Sequence, residues 1–153
     1  MFKNSILFIF LLIRVASATT NSPDIFLNVR TVVRNQKLTL IVKTNLPPKT
    51  LMMAFLIKPT GEEGNDFQER LNGTVQDGGI VEFGPFAKNA DALDSGVYKA
   101  AIVTVPANLE PDEIQSFFGE HGRNLRGNLV VALPETEEKV ISKKFEIVIP
   151  EPK

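Results

Sequence analysis

Asp94-Ser95-Gly96-Val97-Tyr98-Lys99-Ala100 is a turn that runs directly into a strand. Gly96 admits backbone conformations closed to residues that carry a side chain. From Val97 to Val105 the residues alternate between two faces, Tyr98, Ala100, Ile102 and Thr104 against Val97, Lys99, Ala101, Val103 and Val105. Tyr98 brings a ring to bury and a hydroxyl to place. The stretch predicts a strand entered through a sharp corner and held there by the tyrosine. It points to a β-rich domain and supplies no chemistry of its own.

Further strands follow on both sides, with turns between them. Ile25 to Val33 places Ile25, Leu27, Val29 and Thr31 on one face before Val32-Val33 breaks the pattern. After the polar turn Arg34-Asn35-Gln36-Lys37, Leu38, Leu40 and Val42 share a face in a half-buried strand. Asn45-Leu46-Pro47-Pro48-Lys49 must be a loop, because its two prolines lack ladder donors. Leu51 to Ile57 is apolar throughout, as in a strand near the middle of a sheet. Pro59 to Glu69 reads as a long exposed loop. Leu71 to Val75 and Ile80 to Phe83 flank the hairpin turn Gln76-Asp77-Gly78-Gly79. Gly84-Pro85-Phe86 is expected to leave the sheet, and Lys88 to Ser95 to cross to the next strand. Val140 to Ile149 closes the chain, with Ile141, Phe145, Ile147 and Ile149 on one face and Lys143 opposing that register.

Pro106 to Gly127 departs from this rhythm. Pro111-Asp112-Glu113-Ile114-Gln115-Ser116-Phe117-Phe118 reads as a short helix. Pro111 suits the first helical position, the acids suit the positive end of the helix dipole, and Gly119 is a natural C-terminal cap. Ile114, Phe117 and Phe118 are spaced to share a helical face.

Leu93-Asp94-Ser95-Gly96-Val97-Tyr98 resembles the run before the second cysteine of immunoglobulin domains, with Ala100 at the cysteine position and Val42 about where the first cysteine would lie. No Trp is present for the core position, so the chain is no antibody-type domain. Thr44 to Leu51, Gly84-Pro85-Phe86, Leu93 to Tyr98 and Gly119 to Gly127 together resemble a group of exported bacterial β-sandwich proteins of uncharacterised function. Lys49 stands where that group commonly has glycine. The resemblance implies an all-β fold and brings no activity with it. Strand count and resemblance agree on an immunoglobulin-like antiparallel β-sandwich of seven or eight strands, with one short helix inserted before the last strands.

Residues 1–18 read as a secretory signal peptide. Lys3 precedes the unbroken apolar run Ile6 to Ile13, and Ala16-Ser17-Ala18 offers small residues to a signal peptidase. That run of eight residues is far short of the roughly 18 needed to span a bilayer. Cleavage after Ala18 leaves a single domain over 19–153, with 15 basic and 18 acidic residues, and no membrane span. The balance argues against nucleic acid as a partner and gives no attraction to anionic lipid. The chain has no Cys, so its core must hold it without disulfides, which fits a periplasmic or secreted bacterial protein.

The residues offer little catalytic chemistry. Without Cys and with His121 as the one histidine, thiol catalysis and thiolate metal sites are excluded. A Ser–His–acid triad would need His121, and Ser95, Ser116 and Ser142 lie in no Gly-x-Ser-x-Gly setting. Gly61 to Asp66 and Asp91 to Asp94 match no calcium loop. Glu110-Pro111-Asp112-Glu113 is explained by the helix dipole and Glu135 to Glu138 by a solvated turn. Asn72-Gly73-Thr74 fits the N-glycosylation pattern but falls in a strand. The reading is no enzyme, no cofactor and no metal.

The most distinctive surface segment is Gly119-Glu120-His121-Gly122-Arg123-Asn124-Leu125-Arg126-Gly127. His121, Arg123, Asn124 and Arg126 offer donors in a small space, and arginine forks suit carboxylates or phosphates. Phe117 and Phe118 beside them cannot easily both bury on so short a helix, and aromatics next to arginines are enriched at interface hot spots. Phe117, Phe118, His121, Arg123, Asn124 and Arg126 are therefore the candidate contacts for a protein partner, and the protein is expected to be an exported binding or accessory module. The alternative is an inhibitor of a secreted or periplasmic hydrolase, a peptidase or lysozyme, entered through the exposed loops Asn45 to Lys49 or Pro59 to Glu69.

Overall fold

A computed structural model describes residues 23–59, 61, 67–88 and 91–152, so the signal-peptide reading of residues 1–18 lies outside the described residues, as do parts of the Pro59–Glu69 and Lys88–Ser95 connections. Among the described residues there are eight strands in two antiparallel sheets. The smaller sheet has the order β1-β2-β5, from Leu27–Arg34, Lys37–Thr44 and Ile80–Phe86. The larger has the order β4-β3-β6-β8-β7, from Phe67–Thr74, Leu51–Lys58, Gly96–Thr104, Lys139–Ile149 and Val130–Ala132. Between β6 and β7 lie a 3-10 turn (Ala107–Leu109), the helix α1 (Asp112–Phe118) and a second 3-10 turn (Glu120–Gly122). This is the expected β-sandwich with one short helix before the last strands. No helix among the described residues is long and apolar enough to cross a membrane.

Alternation sets what faces inward. Leu38, Leu40, Val42, Val81, Phe83 and Phe86 of the smaller sheet meet Met52, Ala54, Leu56, Tyr98, Ala100 and Ile102 of the larger in one buried core. Val42 and Ala100, at the positions of the resembled cysteine pattern, both belong to it. At roughly 25 cal/mol for each Å² of apolar surface removed from water, such a core can stabilise a domain without disulfides.

The corner forms as the sequence predicts. Gly96 takes φ +132°, a conformation strained for any other residue type. Tyr98 is 1% exposed, and its hydroxyl donates back to the Asp94 carbonyl at 2.8 Å. Its ring meets Phe67 edge-on, with centroids 6.2 Å apart. Tyr98→Phe keeps the ring and removes the hydrogen bond, so urea denaturation is expected to show a loss of about 1 kcal/mol.

Two expectations are corrected. The loop expected to run to Glu69 gives way to β4 at Phe67, because Phe67 pairs with Lys58 across the sheet and packs on Tyr98. Gly84-Pro85-Phe86 does not leave the sheet. Phe86 pairs with Leu38 past a register shift and is buried, and Pro85 is tolerated because β5 is an edge strand. Thr31 shares the face of Leu27 and Val29, as expected, and lies opposite Leu40, but it is exposed on β1, the opposite edge. Lys143 shares the inner face with Phe145 and Ile141, and its long stem carries the ammonium out to the Leu27 carbonyl at 2.7 Å.

Candidate functional site

The inserted segment between β6 and β7 forms one end of the sandwich. Helix α1 is seven residues long, too short to persist alone, so its packing decides its existence. Ile114 and Phe118 are buried in the core, and Phe117 packs half-buried against it, 6.1 Å from Phe118 between ring centroids. Phe118 is thus spent on anchoring the helix, while Phe117 stays partly exposed, in line with the expectation that the two cannot both bury. Asp112 and Glu113 occupy the first turn, and Glu113 pairs with Lys49 at 2.7 Å.

Glu110 departs from the dipole explanation of its acid cluster. It is 3% exposed, with Oε2 accepting from the Leu51 N–H at 2.9 Å, while Oε1 is buried without a partner among the described residues. Burial pushes its carboxyl up to about 7, against the opposing effect of the Leu51 hydrogen bond. Glu110 therefore ties the root of the insertion to the start of β3.

Beyond α1 the chain turns back onto β8. The Asn124 N–H donates to the Phe118 carbonyl at 2.8 Å. Gly122 has φ +73°, and a Cβ there would lie 2.5 Å from the Lys139 carbonyl oxygen, so only glycine lets the loop approach β8 this closely. That approach brings His121, itself at φ 52°, against Glu138, with Nδ1 and Oε1 2.8 Å apart. Nε2 faces Glu137 at 3.8 Å and Glu120 at 3.9 Å. The hydrogen bond to Glu138 is the main cause that raises the His121 pKa; burial opposes it, and the charges of Glu138, Glu120 and Glu137 add smaller upward contributions.

No family model and no curated protein matches the chain.

The structure brings His121, Arg123 and Asn124 together on a cleft of about 530 Å³, whose walls also carry Asp112, Ser116, Glu120 and Glu138. Arg123 lies 3.7 Å from Glu120. Arg126 does not line the cleft, and donates instead to the Arg123 and Leu125 carbonyls at 2.8 and 3.2 Å. The two guanidinium groups thus form no joint fork. Acids outnumber cations along the cleft, which suits a cationic group better than a phosphate or carboxylate. The Ser116 hydroxyl donates to the Asp112 carbonyl at 3.2 Å, and no hydroxyl among the described residues is hydrogen-bonded to His121. No group of three or more His, Cys, Asp or Glu among the described residues is placed to hold a metal ion. Glu138, the residue that fixes His121, has no local signal in the sequence: it sits 17 residues away in what reads as a solvated turn.

Proposed function

We propose that the protein is an exported, non-enzymatic binding or accessory module, periplasmic or secreted, which receives a basic side chain of a protein partner in the cleft beside α1. The observation that carries this reading is the His121 clamp. A hydrogen bond to a mostly buried Glu138 fixes the ring, and Glu120 and Glu137 stand exposed beside it. The Glu138 hydrogen bond leaves the His121 ring little freedom to lose on binding, and Glu120 on the cleft wall supplies exposed negative charge for a basic side chain. The apolar run Ile6 to Ile13 followed by Ala16-Ser17-Ala18 supports export, and the absence of Cys is compatible with it.

Glu120→Lys with Glu137→Lys reverses the outer charges at two exposed positions and should leave the fold intact. Crosslinking pull-downs from the native host are expected to recover a basic partner with the wild-type protein and to lose it with the double variant. Identical captures by the two proteins would remove the cleft from the reading.

A further inference from the structure

We propose that the outward face of the five-stranded sheet is a second docking surface, and that its occupant is an acidic polypeptide segment carrying large apolar side chains. A sandwich sheet with one solvated face normally alternates apolar inward and polar outward. The smaller sheet largely obeys this rule, since its outward positions include Arg30, Arg34, Lys37, Thr39, Lys43 and Glu82. The larger sheet does not. While Met52, Ala54 and Leu56 enter the core, Leu51, Met53, Phe55 and Ile57 of β3 point the other way.

The register gathers this surplus. Met53 lies opposite Val103, and Phe55 opposite Ala101, so β3 and β6 share an apolar stripe of half-buried residues. The small side chain of Ala101 sits in one row with Phe55 and Lys144, and leaves a groove of about 450 Å³ floored by Phe55, Ile57 and Ala101. The flanking strands turn polar. Asn72, Arg70 and Gln68 border the stripe on β4, and Ser142, Lys144 and Glu146 border it on β8. An apolar centre within a polar rim is the anatomy of a protein interface.

Charge selects the occupant. Arg70, Lys99 and Lys144 stand on the outward face against the single acid Glu146, and none of the three is in an ion pair among the described residues. A second copy stacked face to face would bring its own cations against these, whereas carboxylates beside a buried Phe, Leu or Ile would meet them. This surface is distinct from the acid-lined cleft in position and in the sign of its charge.

The test uses labelled short peptides in which Phe, Leu or Ile alternates with Glu, read by fluorescence anisotropy and by amide chemical shifts of the folded protein. Binding should weaken with salt and shift resonances of residues 53–57, 99–103 and 144–146. Lys99→Glu with Lys144→Glu, both solvent-facing, should keep the thermal midpoint and lose binding by about tenfold or more. Peptides with Lys in place of Glu should not bind. The proposal is overturned if no acidic peptide binds, if the Lys peptides bind equally, or if the shifts fall on the cleft. Concentration-dependent self-association through these residues, or binding to phosphatidylglycerol vesicles with no peptide binding, also overturns it.

Discussion

Phe118→Ala is expected to lower the stability by about 3–5 kcal/mol, the cost of deleting a fully buried aromatic ring. Domains of this size hold only about 5–15 kcal/mol in all, so the loss is a large fraction. It falls on a helix of seven residues that depends on docking, and on the loop tied to it by the Asn124 N–H to the Phe118 carbonyl. Urea denaturation should show the shift, and hydrogen exchange should show the amides of Asn124 and Leu125 losing protection first. Phe117→Ala is the control. Its ring is half-buried, so it should cost less than half as much. Equal costs for the two variants would mean that α1 is anchored differently from what the packing indicates.

That asymmetry between neighbouring phenylalanines marks where the sequence stops being informative. Both rings are spaced for one helical face, and periodicity cannot rank them. The tight frame of the fold is local, and so was legible: the turn at Asn35-Gln36, with both residues at positive φ, the corner at Gly96 and Tyr98, and the helix stop at Gly119 all depend on residues a few positions apart. Leu51 to Ile57 was legible as an inner strand of its sheet, and its continuous apolar run says in retrospect that two faces need cover. The sandwich supplies cover for one of them.

The site was legible only in part, for a physical reason. Gly119 to Gly127 stands out by composition, yet the roles within it come from non-local contacts. Gly122 permits a close approach to Lys139, and this creates the His121–Glu138 pair. Arg126 spends its guanidinium on carbonyls one and three residues away, which a donor count cannot distinguish from a free fork. Glu110 shares a charged run with Asp112 and Glu113, but the backbone turns it inward to Leu51 while they face water.

Glu110 should make the protein less stable at pH 8 than at pH 5. The sign follows from its carboxyl being raised from 4.5 to about 7 in the folded chain. A group raised on folding adds stability that is fully present below its unfolded value near 4.5, and that is lost as the pH climbs through about 7. The separation is worth about 3 kcal/mol across the window, and the cause is burial of a carboxylate with one oxygen unpartnered among the described residues. His121 acts in the same direction, since its raised pKa gives stability present below its unfolded value of 6.5 and lost as the pH passes its folded value. Glu110→Gln separates the two. The amide oxygen can still accept from Leu51 N–H and cannot ionise, so the variant should match the wild type near pH 4.5 and exceed it at pH 8. The slope that survives in Glu110→Gln above pH 6.5 should disappear on adding His121→Ala. Urea midpoints measured every half pH unit from 4.5 to 8.5 check both steps. A wild-type curve that is flat or rising across this range would show that Glu110 is ionised in the folded protein without cost, and that its bond to Leu51 N–H outweighs its burial.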